Sequence, residues 1–451
     1  MIYDFVIIGT GPAGSLLAWL LSKKNYKICM IERANNKAII SNPYVQKSSF
    51  HYLPLFSNKL GGNSELWHNK IFLLTKDEFD KKKWGFSYTS LKKTSLELEN
   101  KLNIPKNKIK FFINKSIKIS QSIRYNFNNI YKYFKIESNK NITVIKESSI
   151  SKTYQKHKKI IDKIDIINFK GEIQTISIKN SLILCSGGLG NTHLILNLFN
   201  AVKKNKASLA DHPHIKIGNY NGKEISHLLD FKKYYLNGNI VEKNIYFKIK
   251  NTFAVTQIAV YSAEDFVRKY IKKIYNSNKY TNKKIYFFLI NLYYYFFKIM
   301  NYCKRIRYNQ TFCLEISFSQ IAKSGSITLS NSYDRFGLKK INIKWDFFKG
   351  DIRIYKEIVK KITKILSINN KYRLNKSFEN VYVGQHPSCS TPITKNLKII
   401  GVDKNLKING YRNVYTIGSN VFPENGFTNP TWTIMTLTLK LAKYLLRYSI
   451  K

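Results

Sequence analysis

Hydrophobic and polar positions near the N-terminus predict a β-α-β unit. Residues 2 to 8 form a short apolar run, IYDFVII, which is typical of a buried strand. A glycine-rich turn follows, and then a helix is predicted from about Ala13 to Lys24. A second strand is predicted from Tyr26 to Ile31, so the connections are as short as in a parallel α/β sheet.

The rest of the chain carries further strand and helix patterns. Residues 141 to 186 predict a small antiparallel layer, whose last run, SLILC, is a buried strand that ends in another glycine-rich turn. Strand-like runs between about residues 231 and 348 are interrupted by a helical pattern from about 266 to 302. The remaining predictions are a helix from Asp351 to Leu366, a strand from Asn413 to Ile417, and a helix from Pro430 to the end.

Length and charge limit the classes of function. A chain of 451 residues predicts two domains. The net charge of +49 fits a polyanion partner, or else a compositional excess of lysine. Of the 76 basic residues, 66 are lysine and 10 are arginine, and they are spread along a chain that is also rich in Asn, Ile, Tyr and Phe. A phosphate-gripping or base-reading site favours arginine, so we expect no nucleic-acid partner.

Cysteine use and the N-terminus point to the cytoplasm. The five cysteines form no C-x-x-C pair, so neither a disulfide framework nor a metal site is expected. The first strand begins almost at Met1, with no basic and apolar leader before it. Residues 285 to 297, IYFFLINLYYYFF, are too few to span a bilayer. They are interpreted as a buried or domain-edge helix, and the alternative is an interfacial helix that makes a peripheral membrane contact.

A dinucleotide-binding motif lies in the first turn. Gly9, Gly11 and Gly14 form a G-x-G-x-x-G between a strand and a helix, with Pro12 and Ala13 inside it. The three glycines allow the tight turn, the close approach of a pyrophosphate and the packing of helix on strand. Glu32 ends the second strand 21 residues after Gly11, where a carboxylate can accept from ribose hydroxyls. The motif by itself does not separate FAD from NAD.

Three further segments carry glycines or helix-start signals. GGNSELW at residues 61 to 67 could be a plain surface turn, and CSGGLGNT at 185 to 192 joins a buried strand to an apolar helix. Near the C-terminus, Gly418 and Ser419 end a strand. Asn429 is predicted as the N-cap and Pro430 as the first residue of the last helix, whose dipole could stabilise negative charge on a bound group.

These motifs, in this order, resemble those of the glucose–methanol–choline (GMC) oxidoreductases over nearly the whole chain. The N-terminal glycines with Glu32 resemble the family's FAD motif, and GGNSELW is similar to its GG-x-S-x-x-W turn. ILCSGGLGNTHLIL is similar to its "AAGG…NTRLLL" turn. GVDKNLKINGYRNVYTIGSNVFPENGFTNPTWTI resembles its C-terminal signature, and residues 211 to 213 fall where many members have D-H-P.

The resemblance implies a fold and its division. It implies an α/β fold with a discontinuous Rossmann-like FAD-binding domain and an inserted α+β substrate domain that contains an antiparallel sheet. The predicted FAD-binding segments are residues 1–75, 140–225 and 376–451, and the predicted substrate-binding segments are 76–139 and 226–375.

The resemblance also implies roles for single residues. His386 matches the family's active-site histidine and would act as the base, while Asn429 matches a second position that orients the substrate oxygen. A histidine with a pKa near neutrality suits that role. His68, His212 and His214 are interpreted as structural or supporting residues. The predicted FAD contacts are Gly9, Gly11, Pro12, Ala13, Gly14, Glu32, Gly62, Asn63, Ser64, Trp67, Ser186, Gly187, Gly418, Ser419, Asn429, Pro430 and Thr431.

Two departures from the family pattern stand near the site. Cys389 takes the place of a glycine in the segment after His386, and Pro392-Ile393 take the place of Arg-Met. Leu66 occupies the position where some members attach FAD to a histidine, so non-covalent FAD is expected.

By resemblance, the expected reaction oxidises a CH–OH group, first of all of a sugar or polyol, to a carbonyl by hydride transfer to flavin N5. Oxygen, a quinone or a carrier protein would take the electrons. The alternatives are a flavoprotein of this fold with lyase or decarboxylase chemistry, and a catalytically weak flavoprotein that associates with membranes or polyanions.

Overall fold

The structure of the protein is a computed structural model. It describes residues 1–34, 44–46, 57, 59–67, 69–104, 117–125, 127, 129–199, 206–221, 224, 234–236, 239–249, 252–259, 311–320, 325–345, 349–369, 371, 381–383, 386–426 and 428–448. The apolar stretch at 285 to 297 and the helical pattern around it lie outside these residues. Among the described residues, no helix has the length and apolar character needed to cross a membrane.

A seven-stranded sheet carries the nucleotide-binding motifs. Its strands are β1 (Ile2–Ile8), β2 (Ile28–Ile31), β6 (Ile142–Ile145), β7 (Ser148–Lys156), β8 (Ile160–Asn168), β9 (Ile173–Leu184) and β19 (Val414–Thr416). The order β6-β2-β1-β9 is parallel throughout, and β19 pairs in parallel with the end of β9. All four residues of β2 and the last four of β1 are buried, as expected for strands that are covered on both faces.

The predicted antiparallel layer at residues 141 to 186 is only partly correct. Strands β7, β8 and β9 do form an antiparallel meander. However, β6 pairs in parallel with β2, and β9 is one strand of 12 residues that pairs with both β8 and β1. The first three residues of β9 are exposed, the middle residues vary between buried and exposed, and the last four are buried. Because the first part of β9 is largely exposed and the last part is buried, the sequence pattern predicts two separate strands there.

Helices from the two ends of the chain pack against each other. The helices are α1 (Pro12–Ser22), α2 (Lys81–Trp84), α3 (Tyr88–Lys101), α4 (Ile130–Tyr133), α5 (Gly187–Leu198), α6 (Lys349–Ile365) and α7 (Thr431–Tyr448). Short 3-10 helices cover Gly62–Glu65, Lys76–Glu78, Ile136–Ser138, His157–Lys159 and Ser419–Val421. Helix α1 is buried on nearly every side and packs against α7, so the two ends of the chain share one core.

Two further sheets complete the fold. The four-stranded sheet has the order β10 (Lys206–Leu209), β16 (Gly325–Tyr333), β17 (Lys339–Lys344), β3 (Tyr44–Gln46). The eight-stranded sheet has the order β18 (Val381–Val383), β11 (Pro213–Asn221), β15 (Thr311–Phe318), β14 (Thr252–Ala259), β13 (Asn239–Ile249), β5 (Ile117–Arg124), β4 (Lys70–Ile71), with β12 (Tyr234–Leu236) paired to β13.

The eight-stranded sheet is antiparallel and has its own core under α6. Tyr355 and Ile362 of α6 lie against Leu314 and Phe318, and the rings of Phe318 and Tyr355 are 4.7 Å apart. The sheets confirm the predicted fold class, a mixed α/β chain with a parallel Rossmann-like sheet and separate antiparallel sheets. The predicted domain boundaries stay a prediction.

Candidate active site

The first glycine-rich turn packs so tightly that two of its positions exclude a side chain. Gly9 has φ +104°, and a Cβ there would lie 2.6 Å from the carbonyl oxygen of Cys185. A Cβ on Gly14 would lie 2.0 Å from the carbonyl oxygen of Gly9. The turn therefore holds β1, β9 and the start of α1 in contact, which is the close packing that the sequence predicts.

Gly11 instead faces open space beside a second glycine turn. The nearest atom to a Cβ on Gly11 would be the carbonyl oxygen of Gly61, at 4.0 Å. Gly62 lies directly across, since its Cβ would be 3.5 Å from the Cα of Gly11, and its φ is +53°. Both glycines line a cavity of about 270 Å³. Gly11 is the N-cap of α1 and offers no side-chain cap, so the first N–H groups of the helix can bind an anion.

Glu32 reaches this cavity from the end of β2. Its Oε2 accepts from the backbone N–H of Thr10 (2.8 Å) and from the Thr10 hydroxyl (2.7 Å), and Oε1 accepts from the N–H of Ala34 (3.0 Å). The Thr10 hydroxyl oxygen also accepts from the N–H of Gly61 (3.0 Å). A carboxylate has about four acceptor sites, so Glu32 retains capacity for a ribose hydroxyl.

The opposite wall comes from the middle and the end of the chain. Gly188 and Pro387 both belong to this wall and pack so closely that a Cβ on Gly188 would lie 2.5 Å from the carbonyl oxygen of Pro387. The Oδ1 of Asn191 accepts from the N–H of Ser186 (2.7 Å), and its Nδ2 donates to the carbonyl of Ile417 (3.0 Å). Asn191 thus ties the two glycine turns together. Sequence reasoning assigned it no role, although it is the Asn of the family-like GGLGNT segment.

A second, smaller cavity adjoins the first and shares His386 and Pro430 with it. The described residues leave about 20 Å³ inside it, which is room for a water-sized group. Its polar side chains come from three parts of the chain. They are Glu78, His212, His386, Ser388, Glu424, Asn425, Thr428 and Thr433.

A buried carboxylate fixes two histidines at this smaller cavity. Oδ1 of Asp211, a fully buried residue, accepts from the backbone N–H of His212 (2.7 Å) and from that of His386 (2.9 Å). The imidazole rings meet edge to face, with centroids 5.0 Å apart and planes at 70°. Ala210 and Ser388 exchange both backbone hydrogen bonds (3.1 and 2.9 Å), so the two segments are paired as well.

The protonation of His212 is set by its surroundings. Burial lowers the pKa of His212 well below its usual value, and the neighbouring His386 and His214 lower it further. The nearby Gly426 carbonyl acts in the opposite direction and is the smaller effect. The imidazole of His212 is therefore neutral near pH 7, with one donor and one acceptor nitrogen.

Cys389 lies in the same segment with a left-handed backbone. Its φ is +64°, and its side chain is fully buried. A residue with a Cβ is unfavourable in that region, which gives a physical reason for glycine at the matching position of the family.

Most of the predicted cofactor residues meet at the larger cavity. They are Gly9, Gly11, Pro12, Ala13, Glu32, Gly62, Asn63, Trp67, Ser186, Gly187, Gly418, Ser419, Pro430 and Thr431. Two predicted contacts lie behind the wall: Gly14 packs against Gly9, and the Ser64 hydroxyl donates to the Gly61 carbonyl (2.7 Å).

Asn429 differs from its predicted N-cap position, and its predicted role in orienting the substrate oxygen stays a prediction. Its side chain lines neither cavity, although Thr428 and Pro430 on either side of it do. Helix α7 begins at Thr431, and the N–H of Ile434 donates to the Pro430 carbonyl (2.9 Å). Pro430, rather than Asn429, therefore directly precedes the first helical residue.

Sequence reasoning missed a charged cluster at the larger cavity. Arg33 and His193 both line it. Arg33 forms an ion pair with the buried Asp334 (2.8 Å), and its guanidinium lies 4.5 Å from the ring centre of Phe336. Burial lowers the pKa of His193 to about 4, with a further contribution from Arg33. The position of Arg33 directly after Glu32 could have pointed to it as a cavity residue. Its partner Asp334 lies 301 residues away, so no local sequence pattern could have shown the ion pair.

Glu78 supports the smaller cavity from its far side. Its Oε2 accepts from the N–H of Thr75 and from the hydroxyl of Thr428, both at 2.7 Å. Glu424 is held by an ion pair with Lys83. Glu78 therefore ties the loop that precedes α7 to the 3-10 helix at residues 76 to 78. No sequence signal pointed to either glutamate.

Two family models match parts of the chain. The GMC oxidoreductase C-terminal model matches residues 322–438, and an NAD(P)-binding Rossmann-like domain model matches residues 7–39. No curated protein sequence matches this chain significantly.

Solved structures resemble the chain over its whole length. A formate oxidase variant from Aspergillus oryzae RIB40 has 13% identity and a TM-score of 0.61, covering 99% of this chain and 98% of its own. Pyridoxine 4-oxidase from Mesorbium loti has 11% identity and a TM-score of 0.64, covering 99% of both chains. An FAD-dependent oxidoreductase from Chaetomium thermophilum has 14% identity and a TM-score of 0.59, also covering 99% of both. The predicted resemblance to the GMC oxidoreductases is confirmed, and these findings support FAD as the cofactor.

Proposed function

We propose, from the resemblance to the GMC oxidoreductases, that this chain is an FAD-dependent oxidoreductase that oxidises a CH–OH group to a carbonyl, with His386 as the base. The observation that carries the proposal is the position of His386, which lines both the dinucleotide cavity and the small polar cavity beside it. A reacting group in the small cavity and a cofactor in the large one would thus both lie beside His386.

The residues of the larger cavity fit FAD. The N-terminus of α1 with Gly11 and Gly62 would hold the pyrophosphate, because a Cβ at Gly11 would point into free space rather than into the protein. Glu32 would accept from the ribose hydroxyls. The N-terminus of α7, at Pro430 and Thr431, would stabilise negative charge on the reduced ring. When bound, FAD supplies the acceptor for a hydride.

His386 supplies the proton acceptor. Oxidation of an alcohol releases the hydroxyl proton and a hydride from the same carbon, and a carbonyl remains. The imidazole of His386 takes the proton, and the backbone N–H of His386, bound to Asp211, fixes the position of the residue. Oxygen, a quinone or a carrier protein would then take the electrons.

Only a small part of the substrate, its reacting end, is proposed to occupy the small cavity. The cavity of about 20 Å³ has room for a water-sized group such as a hydroxyl, so most of a sugar or polyol would lie outside it. One-carbon compounds also belong in the substrate screen, since one structural neighbour is named a formate oxidase. The sugar or polyol assignment itself rests on the GG-x-S-x-x-W resemblance.

The test is anaerobic reduction of the purified yellow protein by a panel of sugars, polyols, short alcohols and formate. Bleaching of the flavin band supports the proposal, whereas product formed with the flavin still oxidised would favour lyase or decarboxylase chemistry. His386→Ala should keep the flavin spectrum and lose reduction. His157→Ala, at an exposed histidine outside both cavities, is the control and should behave as the wild type. Acid precipitation should release the flavin, since the attachment is expected to be non-covalent.

A further inference from the structure

His212 shares the small cavity with His386. The two rings are in edge-to-face contact, and both histidines line the cavity, although they come from distant parts of the chain. Asn429, which the family pattern predicts as the partner of His386, lines neither cavity. A group in the small cavity therefore meets two imidazoles.

The position of His212 is fixed by its backbone. Asp211 binds the N–H groups of both histidines through one oxygen, and the adjacent Ala210 pairs with Ser388. Pro213 follows directly and begins β11, which restricts the backbone of His212 further. The backbone of His212 is thus held in place without using its ring nitrogens.

The nitrogens of His212 are available to a ligand. Both are buried, and neither forms a hydrogen bond of ordinary geometry with the described residues, although the Gly426 carbonyl is near enough to the ring to raise its pKa slightly. A buried polar atom without a partner costs about 1–3 kcal/mol, so a ligand that supplies the missing partner gains that free energy. Because burial keeps the ring neutral, one of its two nitrogens carries a hydrogen, and the tautomer with that hydrogen toward the cavity can donate it to a ligand.

We propose that His212 is a second catalytic residue, whose N–H donates a hydrogen bond to the substrate oxygen while His386 removes the proton. The inference rests on the proposed function. As the hydroxyl proton leaves, negative charge grows on the oxygen, and a fixed donor in a buried site stabilises it. A ring that resists protonation does not compete with His386 for the proton. The ligand class is a small molecule with an oxygen acceptor at its reacting end.

The test compares His212→Phe with His212→Gln in the FAD-loaded protein. Phe keeps a planar ring without a donor, and Gln keeps an N–H donor. The measurements are the rate of anaerobic flavin reduction by the best alcohol across pH 5–9, and the binding of formate, followed through the flavin absorbance. His214→Gln is the matched control, because His214 is the next histidine along the chain and lines neither cavity.

We expect His212→Phe to slow flavin reduction by about 10²–10³-fold, the usual effect of losing one oxyanion donor. The loss should be similar at every pH, because the base is intact, and formate should bind at least about tenfold more weakly, which corresponds to about 1.4 kcal/mol. Gln should recover part of both. His214→Gln should stay within about twofold of the wild type, as expected for a change that removes no substrate contact.

The outcomes separate this inference from the proposed function. If no alcohol reduces the wild-type flavin but His212→Phe still weakens formate binding, the proposed function fails and the donor role of His212 stands. If alcohols reduce the flavin and His212→Phe matches the wild type in both rate and formate binding, the inference is overturned and the proposed function stands. Wild-type protein that binds no formate would also overturn it. Should Phe impair folding, Gln compared with Leu gives the same contrast.

Discussion

The carboxylate of Asp211 should be the residue on which the geometry of the small cavity most depends. It accepts two backbone hydrogen bonds through one oxygen, at 2.7 and 2.9 Å, and it is fully buried. Bonds to a charged group contribute about 1.5–3 kcal/mol each, and each N–H left without a partner adds a cost. We therefore expect Asp211→Ala to lower the free energy of unfolding by about 3–5 kcal/mol, within the range of broken buried networks.

Asp211→Asn is the matched comparison. Its amide oxygen can still accept from His212 and His386, so we expect a loss of about 1–2 kcal/mol, as for neutral hydrogen bonds in place of charged ones. Catalysis should follow the same order, because a displacement of about 1 Å of a catalytic group costs on the order of 10²-fold in rate. Urea unfolding of the apoprotein and anaerobic flavin reduction measure the two effects. An Asp211→Ala protein as stable as the wild type, or equally fast in reduction, would refute this reasoning.

Three other perturbations give distinct readouts. Gly11→Ala should change the stability of the apoprotein by no more than about 1 kcal/mol, because the added Cβ meets free space, but it should sharply reduce the FAD-to-protein absorbance ratio. Gly14→Ala should fail to fold, because its Cβ would clash with the carbonyl of Gly9. Full FAD content in Gly11→Ala would contradict the pyrophosphate site. Asp334→Asn should lower the free energy of unfolding in urea by about 2–3 kcal/mol, which is less than the loss from breaking a fully buried ion pair because Arg33 is 16% exposed. The double variant Asp334→Asn, Arg33→Met should recover part of that loss. An unchanged single variant would contradict the contribution of the ion pair. The pKa of His193 is lowered from 6.5 to about 4 in the folded protein, so between these pH values the unfolded chain binds a proton more readily than the folded one. The free energy of unfolding should therefore be highest above pH 6.5 and fall by about 3 kcal/mol toward pH 4. His193→Gln should flatten that slope in urea unfolding at several pH values, and an identical slope in the variant would assign the loss to other groups.

Patterns that lie within a few tens of residues were readable from the sequence. The buried strand at residues 2 to 8, the glycine turn and Glu32 form one local unit, in which Thr10 donates a backbone hydrogen bond to Glu32 only 22 residues away. The helix predicted from Asp351 to Leu366 is observed at Lys349–Ile365, because its apolar face repeats at helical spacing. Boundaries shifted by one or two residues, as the end of a helix is set by local hydrogen bonds.

The sequence by itself determined the fold class, the dinucleotide turn and the importance of the segment around His386, because each depends on residue types in a local pattern. Only the tertiary structure decided which side chains share the small cavity. It brought the segment of Asp211 and His212 beside His386, although Asp211 and His386 are 175 residues apart, and it placed Asn429 outside the linings of both cavities. It also joined Arg33 to Asp334 and made β9 one continuous strand. The physical reason is that burial, pairing and the pKa values that follow from them are set by contacts between distant segments, which no local pattern contains.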